Sequence, residues 1–449
     1  MSSLVRQLAL AAVAGIALSA SAGAQLLGVP ALPPVSLPVP TNSLPTGNLP
    51  VAGPILQDIL AQPAAQQAIS PTLDSVSGLS GIVADAGAPT LLELRRLRLQ
   101  ELIRGNRATV EADGNGLPVR RGIVAVLDPD PLGLQRALGA GFRVAGDDRD
   151  DPLGMRVVSL ATPRNMSARD GLKLLHKLAP ELQADFDHLF EPAGAGLMPM
   201  GGALAAAQGL GNGPAIGMID GGVASHPALA GKSIEQNGFA GAPQPTGHGT
   251  AVASLLVGSQ GSFRGAAAGA RLFVADVYGG NRAAGSATSI VRALGWLSGK
   301  RPQVINISLV GPSNRLVERA IQIVESRGIQ VVAAVGNDGP AAPPQYPASY
   351  PGVVAVTAVD AGGRALPEAG KPTHLDFAAP GADMAAALPG NGFTRVRGTS
   401  FAAPLAAARL LAAGSPAALA AEARPGKGRV GRGIVCGACR VDPRIVGAK

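Results

Sequence analysis

Along the second half of the chain, short runs that are apolar at nearly every position alternate with stretches whose apolar residues fall at helical spacing. The runs lie at 215–219, 272–277, 304–309, 330–335 and 353–359, and they are rich in Val, Ile and Ala. A strand that is apolar on both sides is buried on both sides, which points to the interior of a mostly parallel sheet. Helical spacing recurs between several of them, at 250–257, 289–297 and 315–327. This alternation predicts a doubly wound α/β domain over 193–415, with any site at the carboxyl ends of its strands.

A different rhythm occupies 120–192. A strand over 122–127, a short helix over 132–138, strands near 142–144 and over 155–160, a helix over 167–178 and a last strand over 182–190 follow one another. The order β-α-β-β-α-β is the ferredoxin-like arrangement of a small α+β unit. The segment 193–213 between the two units is Gly/Ala-rich and nearly uncharged, a flexible joint. Ahead of the small unit, 90–104 reads as a basic helix within a spacer over 89–119. Its leucines are too crowded for one clean stripe, which favours a helix packed on the next unit over one lying on a membrane surface.

The first 88 residues carry neither rhythm. Arg6, an apolar run from Leu8 to Leu18 and the small residues Ala22-Gly23-Ala24 predict a signal peptide over 1–24, with Gln25 as the new terminus. That run is too short to span a bilayer, so export to the periplasm, cell surface or medium is expected, with no transmembrane anchor. Segment 25–88 is Pro/Leu-rich and low in complexity, as in Leu32-Pro33-Pro34-Val35, and reads as an extended linker.

Composition changes the picture in a few places. Only 3% of the 449 residues are aromatic, so Ala, Val and Leu must fill the core. The net charge of +8 comes without the aromatic interleaving of a nucleic-acid groove, and no nucleic-acid partner is expected. Much of the excess lies in a basic, Gly-rich tail over 416–449, expected to be solvated, with attachment to anionic envelope polymers as the sharper alternative. Cys436 and Cys439 are too few for a zinc site and suit a small disulfide loop in an exported chain.

The candidate chemistry sits at the predicted strand ends and helix starts. Ser400, in Gly398-Thr399-Ser400-Phe401-Ala402-Ala403-Pro404, opens an Ala/Leu-rich helix, where unpaired N–H groups and the positive end of the dipole favour negative charge. Asp220 closes the strand 215–219 and is released by Gly221-Gly222. Of the five histidines, His176 and His188 belong to the small unit, while His226 and His374 read as ordinary surface residues. Only His248, in Gly247-His248-Gly249-Thr250, is flanked by glycines that leave its ring open to other loops. Asn337, in Gly336-Asn337-Asp338-Gly339, is a turn residue by itself and a candidate oxyanion donor beside Ser400. A hydroxyl nucleophile, an imidazole to move its proton, a carboxylate to orient that imidazole and donors for the developing charge make one catalytic set.

Taken in order, these blocks resemble the signature motifs of subtilisin-like serine peptidases, whose catalytic residues follow the chain order Asp…His…Ser. His226-Pro227, Asn306-Ile307-Ser308-Leu309 and Tyr346-Pro347-Ala348 match as well. The resemblance implies that Ser400 is the nucleophile, His248 the general base, Asp220 its orienting partner, and Asn337 with the Ser400 N–H the oxyanion hole. It implies that a substrate strand lies along Ser308, Leu309, Val310 and Gly311, with a pocket completed by Ala333, Ala334, Val335 and Gly336. These linings are small and apolar, so an uncharged residue is expected before the cut, and Val310 should narrow the pocket. By the same resemblance 120–192 is an inhibitory pro-domain, so the chain is expected to be a secreted endopeptidase made as a self-inhibited precursor, acting on proteins or peptides.

The motifs depart from the family pattern in places. Gly221 stands where a Thr or Ser usually supports the carboxylate, which bears on rate, and Leu405 replaces a usual His. The chemistry requires no cofactor or metal; no acidic loop cluster predicts calcium, and structural calcium stays open. The alternative is a catalytically weak or inactive subtilase-fold module that binds the cell envelope. An esterase is disfavoured because Ser400 lacks the Gly-x-Ser-x-Gly elbow.

Overall fold

The computed structural model describes residues 88–150, 152–193, 203–205 and 213–448. The expected signal peptide, all but the end of the Pro/Leu-rich segment, and most of the 193–213 joint lie outside the described residues. Helix α1 (Ala88–Gly105) comes first, built largely from Leu, Arg, Glu and Gln, which lose little side-chain freedom in a helix. Strand β1 (Val110–Ala112) then pairs with β2 (Pro118–Leu127). The expected β-α-β-β-α-β order follows with α2 (Pro131–Gly139), β3 (Arg143–Asp150), β4 (Met155–Ala161), α3 (Ala168–Leu178) and β5 (Gln183–His188). Strand β2 is central, antiparallel to β4 on one side and β5 on the other, and β4 carries β3.

Strand alternation decides how this small sheet is used. Val124 and Val126 of β2 join Val158, Leu160, Leu172 and Leu175 in a core beneath α2 and α3. Their neighbours Ala125 and Leu127 point the other way and join the core of the large unit, with Met155 and Val157. Strands β2 and β4 therefore bury both faces, one in their own unit and one against the next.

The large unit begins with β6 (Glu191–Pro192), β7 (Ala215–Asp220), β8 (Ile234–Gly238) and α4 (Gly247–Val257). The short pair β9 (Ser259–Gln260) and β10 (Phe263–Arg264) leads to β11 (Arg271–Asp276), α5 (Ala287–Lys300), β12 (Val304–Ile307) and β13 (Leu309–Val310). Then come α6 (Arg315–Ser326), β14 (Gln330–Ala334), β15 (Val354–Val359) and β16 (Phe377–Pro380). A hairpin of β17 (Met384–Ala387) and β18 (Phe393–Val396) precedes α7 (Thr399–Ala413) and α8 (Pro416–Glu422). Seven strands form a parallel sheet in the order β16-β15-β14-β12-β7-β11-β8. The chain starts at β7, crosses to β8 at the edge, comes back to β11 between the two, then passes over to β12 and beyond. The winding thus reverses between β7 and β12, the place where such sheets open a crevice at their carboxyl edge.

The small unit docks on α5 and α6 through carboxylates at their N-termini. Asp187, fully buried, accepts from Thr288 N and Thr288 Oγ1 at 2.9 Å each, and Asp185 accepts from Arg315 N at 2.9 Å. Both satisfy helix N–H groups that have no partner inside the helix. Asn314 caps α6 with its Oδ1 and donates from Nδ2 to Phe186 O of β5 at 2.8 Å.

The C-terminal region differs from expectation. Residues 424–441 are not a solvated tail: Ala378 N of β16 donates to Gly433 O and Val435 N donates to Ala378 O, so the segment extends the sheet edge. Val430, Val435 and Val441 are buried, and these scattered valines, masked by the basic composition, are what hold it down. Cys436 and Cys439 are disulfide-bonded. Among the described residues no single helix is long and apolar enough to cross a membrane.

Glu325, near the end of α6, is half-buried beside Gly352, and its Oε1 is buried with no hydrogen-bond partner among the described residues. Burial pushes this carboxyl up to about 7 from its ordinary 4.5. A folded value above the unfolded one means that stability is complete below about pH 4.5 and is lost as pH rises to about 7. Glu325→Gln should therefore raise stability at pH 8 by about 1–2 kcal/mol, discounted for solvent screening, and change little at pH 4. Urea midpoints at the two pH values check this, and an equal effect at both would contradict it.

Candidate active site

The carboxyl edge of the sheet collects the residues singled out from the sequence. Asp220 ends β7, Ser308 follows β12, and Asn337 follows β14; all are reached by the crevice beside the switch point. His248 is the second residue of α4, whose N-cap is Thr246: its Oγ1 accepts from Gly249 N at 2.9 Å. The glycines around His248 let the helix come close. A Cβ on Gly249 would sit 2.3 Å from Gly221 O, so only glycine permits α4 to approach the Asp220 turn.

That approach joins the acid and the imidazole. His248 Nδ1 lies 2.9 Å from both Asp220 carboxylate oxygens, and Asp220 Oδ1 also accepts from Gly221 N at 2.7 Å. Both side chains are essentially fully buried, so their pairing is unscreened by water. A carboxylate on Nδ1 selects the tautomer that carries its proton there and leaves Nε2 as an acceptor. The His248 ring packs on Phe401, the neighbour of Ser400, at 5.3 Å between centroids. His248 Nε2 and Ser400 Oγ are both buried with no hydrogen-bond partner among the described residues.

Ser400 is held by its backbone. Pro404 has no N–H for the carbonyl four residues back, which belongs to Ser400. Ser308 Oγ supplies the missing bond, donating to Ser400 O at 3.0 Å, and is itself held by Asn306 Nδ2 at 3.0 Å. The Gly336-Asn337 loop is tied to the same helix start. Gly336 N donates to Thr399 Oγ1 at 3.1 Å, and Thr399 N donates to Asn337 Oδ1 at 3.0 Å. This second bond fixes the amide orientation and turns Asn337 Nδ2 outward, where it donates to the carbonyl of Ala193.

The end of the small unit thus enters the cleft. Strand β6 pairs antiparallel with β13, Leu309 opposite Pro192 and Val310 opposite Glu191, and Ala193 N donates to Ser308 O at 2.8 Å. On the other side Phe190 N donates to Gly285 O at 2.7 Å, and Leu189 bridges Ser286. Segment 189–193 is therefore the middle strand of three. Phe190 is fully buried against Gly311, where any Cβ would meet its ring at 2.5 Å. Ala193 shares a hydrophobic cluster with Leu309, Val310, Ala333, Ala334 and Val335. Val310 Cγ1 would lie 3.4 Å from a Cβ on Gly336, so these two residues face each other.

Of the four residues expected along the substrate strand, Gly311 takes a different backbone partner. Its N and O bond Tyr346, while its bare Cα receives Phe190. His226 also departs from expectation: it is buried, its Nδ1 accepts from Ala228 N at 3.0 Å, and its Nε2 lies 3.0 Å from Gly392 O. The Pro227 turn folds the ring inward over its own helix start, which a histidine before proline does not announce. The opposite wall at Gly285-Ser286 was not legible either, since Gly-Ser before a helix reads as a cap. Among the described residues no cluster of His, Cys, Asp and Glu could hold a metal ion.

Residues 211–419 match the model of the subtilase family. The chain is 34% identical over 199 residues to Subtilisin Savinase of Lederbergia lenta, covering 43% of this chain and 73% of that protein. It is 32% identical over 220 residues to Subtilisin DY of Bacillus licheniformis, covering 46% and 80%. The chain belongs to the subtilase family. An alkaline protease of Alkalihalobacillus alcalophilus is 34% identical over the same length, with 52% of its own chain covered. The structure of fervidolysin from Fervidobacterium pennivorans, a keratinolytic enzyme related to subtilisin, superposes with a TM-score of 0.59 at 18% identity, over 72% of this chain and 61% of that one. That likeness speaks for the fold, including the doubly wound sheet. This subtilase is a serine-type endopeptidase by its kinship.

Gly221 has a local reason in this subtilase. A Cβ there would lie 2.4 Å from Thr246 Oγ1 and 2.6 Å from Thr246 Cγ2, so the threonine side chain fills the space that a residue after Asp220 would take. Gly221→Ser should therefore lower both thermal stability and kcat/KM, while Gly221→Ser/Thr246→Ala should recover part of each. The cap lost with Thr246 costs about 1 kcal/mol by itself. A double-mutant cycle on melting temperature and kcat/KM measures the coupling, and strictly additive effects would contradict the packing account.

Proposed function

We propose that this subtilase is exported as a self-inhibited precursor and that the first peptide bond it cuts is its own, between Ala193 and Gly194. The observation that carries the reading is the hydrogen bond from Asn337 Nδ2 to the Ala193 carbonyl, with 191–193 strand-paired to 308–310. In this reading Ser400 Oγ attacks the Ala193 carbonyl carbon while His248 Nε2 takes the hydroxyl proton. Asp220 keeps the Nδ1 proton in place and stabilises the imidazolium. The oxyanion is received by Asn337 and the Ser400 N–H at the start of α7, donors that are in place before charge develops. His248 then returns the proton to the amine of Gly194 as the C–N bond breaks, and water releases Ala193 from Ser400.

The segment left behind is the pattern of a substrate for the same cleft. Phe190-Glu191-Pro192-Ala193 offers a small uncharged residue before the cut and an aromatic ring four positions back, buried on Gly311. Extended proteins or peptides with that pattern are the expected substrates, met in the periplasm, at the cell surface or in the medium. No cofactor takes part. The small unit with β6 acts as the intramolecular inhibitor, since its last residues occupy the cleft that a substrate needs.

Intact mass and N-terminal sequencing of purified wild type beside Ser400→Ala test this. Wild type should yield a fragment beginning at Gly194, and Ser400→Ala should stay joined across 193–194. Full-length chains in both, with no digestion of an unfolded protein, would overturn the reading.

A further inference from the structure

Helix α1 lies outside the β-α-β-β-α-β order of the small unit and outside the catalytic set, yet it reaches the cleft. Arg95 Nε lies 3.0 Å from Asp338 Oδ2, and Arg98 Nη2 donates to Asp338 Oδ1 at 3.0 Å. Arg98 Nε donates at 3.3 Å to Glu191, two residues before Ala193. Asp338 follows Asn337 directly, so one helix grips both the rim of the oxyanion loop and the strand lying in the cleft. Asp338 and Glu191 are only 6% and 9% exposed, which removes most of the solvent screening that weakens surface pairs. One turn earlier, Leu91 is buried against Gly339, where an added Cβ would meet Leu91 Cδ1 at 2.9 Å. Arg96 and Arg104, by contrast, are 70% and 61% exposed, and among the described residues they pair with Glu93 and Glu101 of their own helix.

We propose that Asp338 and Gly339 form a second docking surface on the catalytic domain, fitted to a basic helix of the Leu-x-x-x-Arg-x-x-Arg pattern, and that α1 is its occupant. Docking of the N-terminal region is then bipartite. Strand β6 supplies backbone pairing in the cleft, and α1 pins that strand from outside through Arg98. Leu91, Arg95 and Arg98 lie four and three residues apart, so a single face of the helix delivers all of them. Burial alone would lower the affinity of the Arg98 guanidinium for its proton, but the carboxylates of Glu191 and Asp338 outweigh it and raise that affinity. The contact itself stands without reference to catalysis; its consequence for latency rests on the self-inhibition proposed above.

Hydrogen exchange on the full chain carrying Ser400→Ala tests the contact without any cleavage. Arg95→Ala/Arg98→Ala should speed exchange of the 91–105 amides and of the Ala193 amide by about tenfold or more, because buried carboxylates are left unpaired. Arg96→Ala/Arg104→Ala should change neither, and Arg98→Lys, whose single ammonium cannot reach two carboxylates, should fall between. Arg98→Lys decides the matter if the double alanine chain does not fold. Equal exchange in wild type, the double alanine chain and Arg98→Lys would overturn the proposal. The same variants with Ser400 present are then followed on a fluorogenic Phe-Glu-Pro-Ala peptide, where the double alanine chain should gain activity about tenfold sooner. Faster exchange with no activity from any chain would uphold the docking surface and sink the self-inhibition reading instead.

Discussion

The amide of Asn337 is the point on which the arrangement of the cleft depends. Its Oδ1 is committed to Thr399 N, so its Nδ2 has one direction left to donate, and that direction meets the Ala193 carbonyl. A single side chain therefore ties together the loop after β14, the start of α7 and the end of the small unit. The backbone around it leaves no slack: Gly398, at φ 139°, has a Cα so close to the amide that an added Cβ would sit 2.9 Å from Nδ2. Gly398, two residues before Ser400, is thus required twice, for its dihedral angle and for that approach.

The second constraint is burial. Asp220 and His248 pair out of reach of water, with the imidazole packed on Phe401, while the segment 189–193 lies between two edges of the catalytic domain. Burying polar groups in this way costs stability unless partners are found, and here they are found in series: Ser308 answers the carbonyl that Pro404 leaves free, and Asp187 and Asp185 answer the helix N–H groups beneath the small unit. Among the buried atoms that remain without a partner in the described residues, His248 Nε2 and Ser400 Oγ are the pair assigned in our reading to move a proton.

Much of this was legible in the chain. The apolar runs named five of the seven strands, and the β-α-β-β-α-β unit was traced element by element, because buried strands and amphipathic helices leave strong periodic signals. Strand β8 was missed because Ile234-Glu235-Gln236-Asn237-Gly238 is an edge strand with polar residues, and β16 because Phe377-Ala378-Ala379-Pro380 is too short and too alanine-rich to stand out. Glycines framing Asp220, His248, Asn337 and Ser400 marked those positions, since close approach of backbones is what the site needs. Side-chain contacts were the least legible features, among them the pairing of Thr246 with Gly221, the inward His226, and the reach of Arg95 and Arg98 to Asp338. Each joins residues far apart in the chain through side chains, and no local pattern encodes such a contact.

In our reading the Ala193 carbonyl lies where the oxyanion forms. The rate at which Asn337→Ala separates Ala193 from Gly194, compared with wild type across a range of protein concentrations, tests it most directly. The account predicts first-order cleavage independent of concentration, slowed by about 10²–10³ in the variant and still at the same bond. Cleavage at an unchanged rate, or at a rate that grows with concentration, would contradict it.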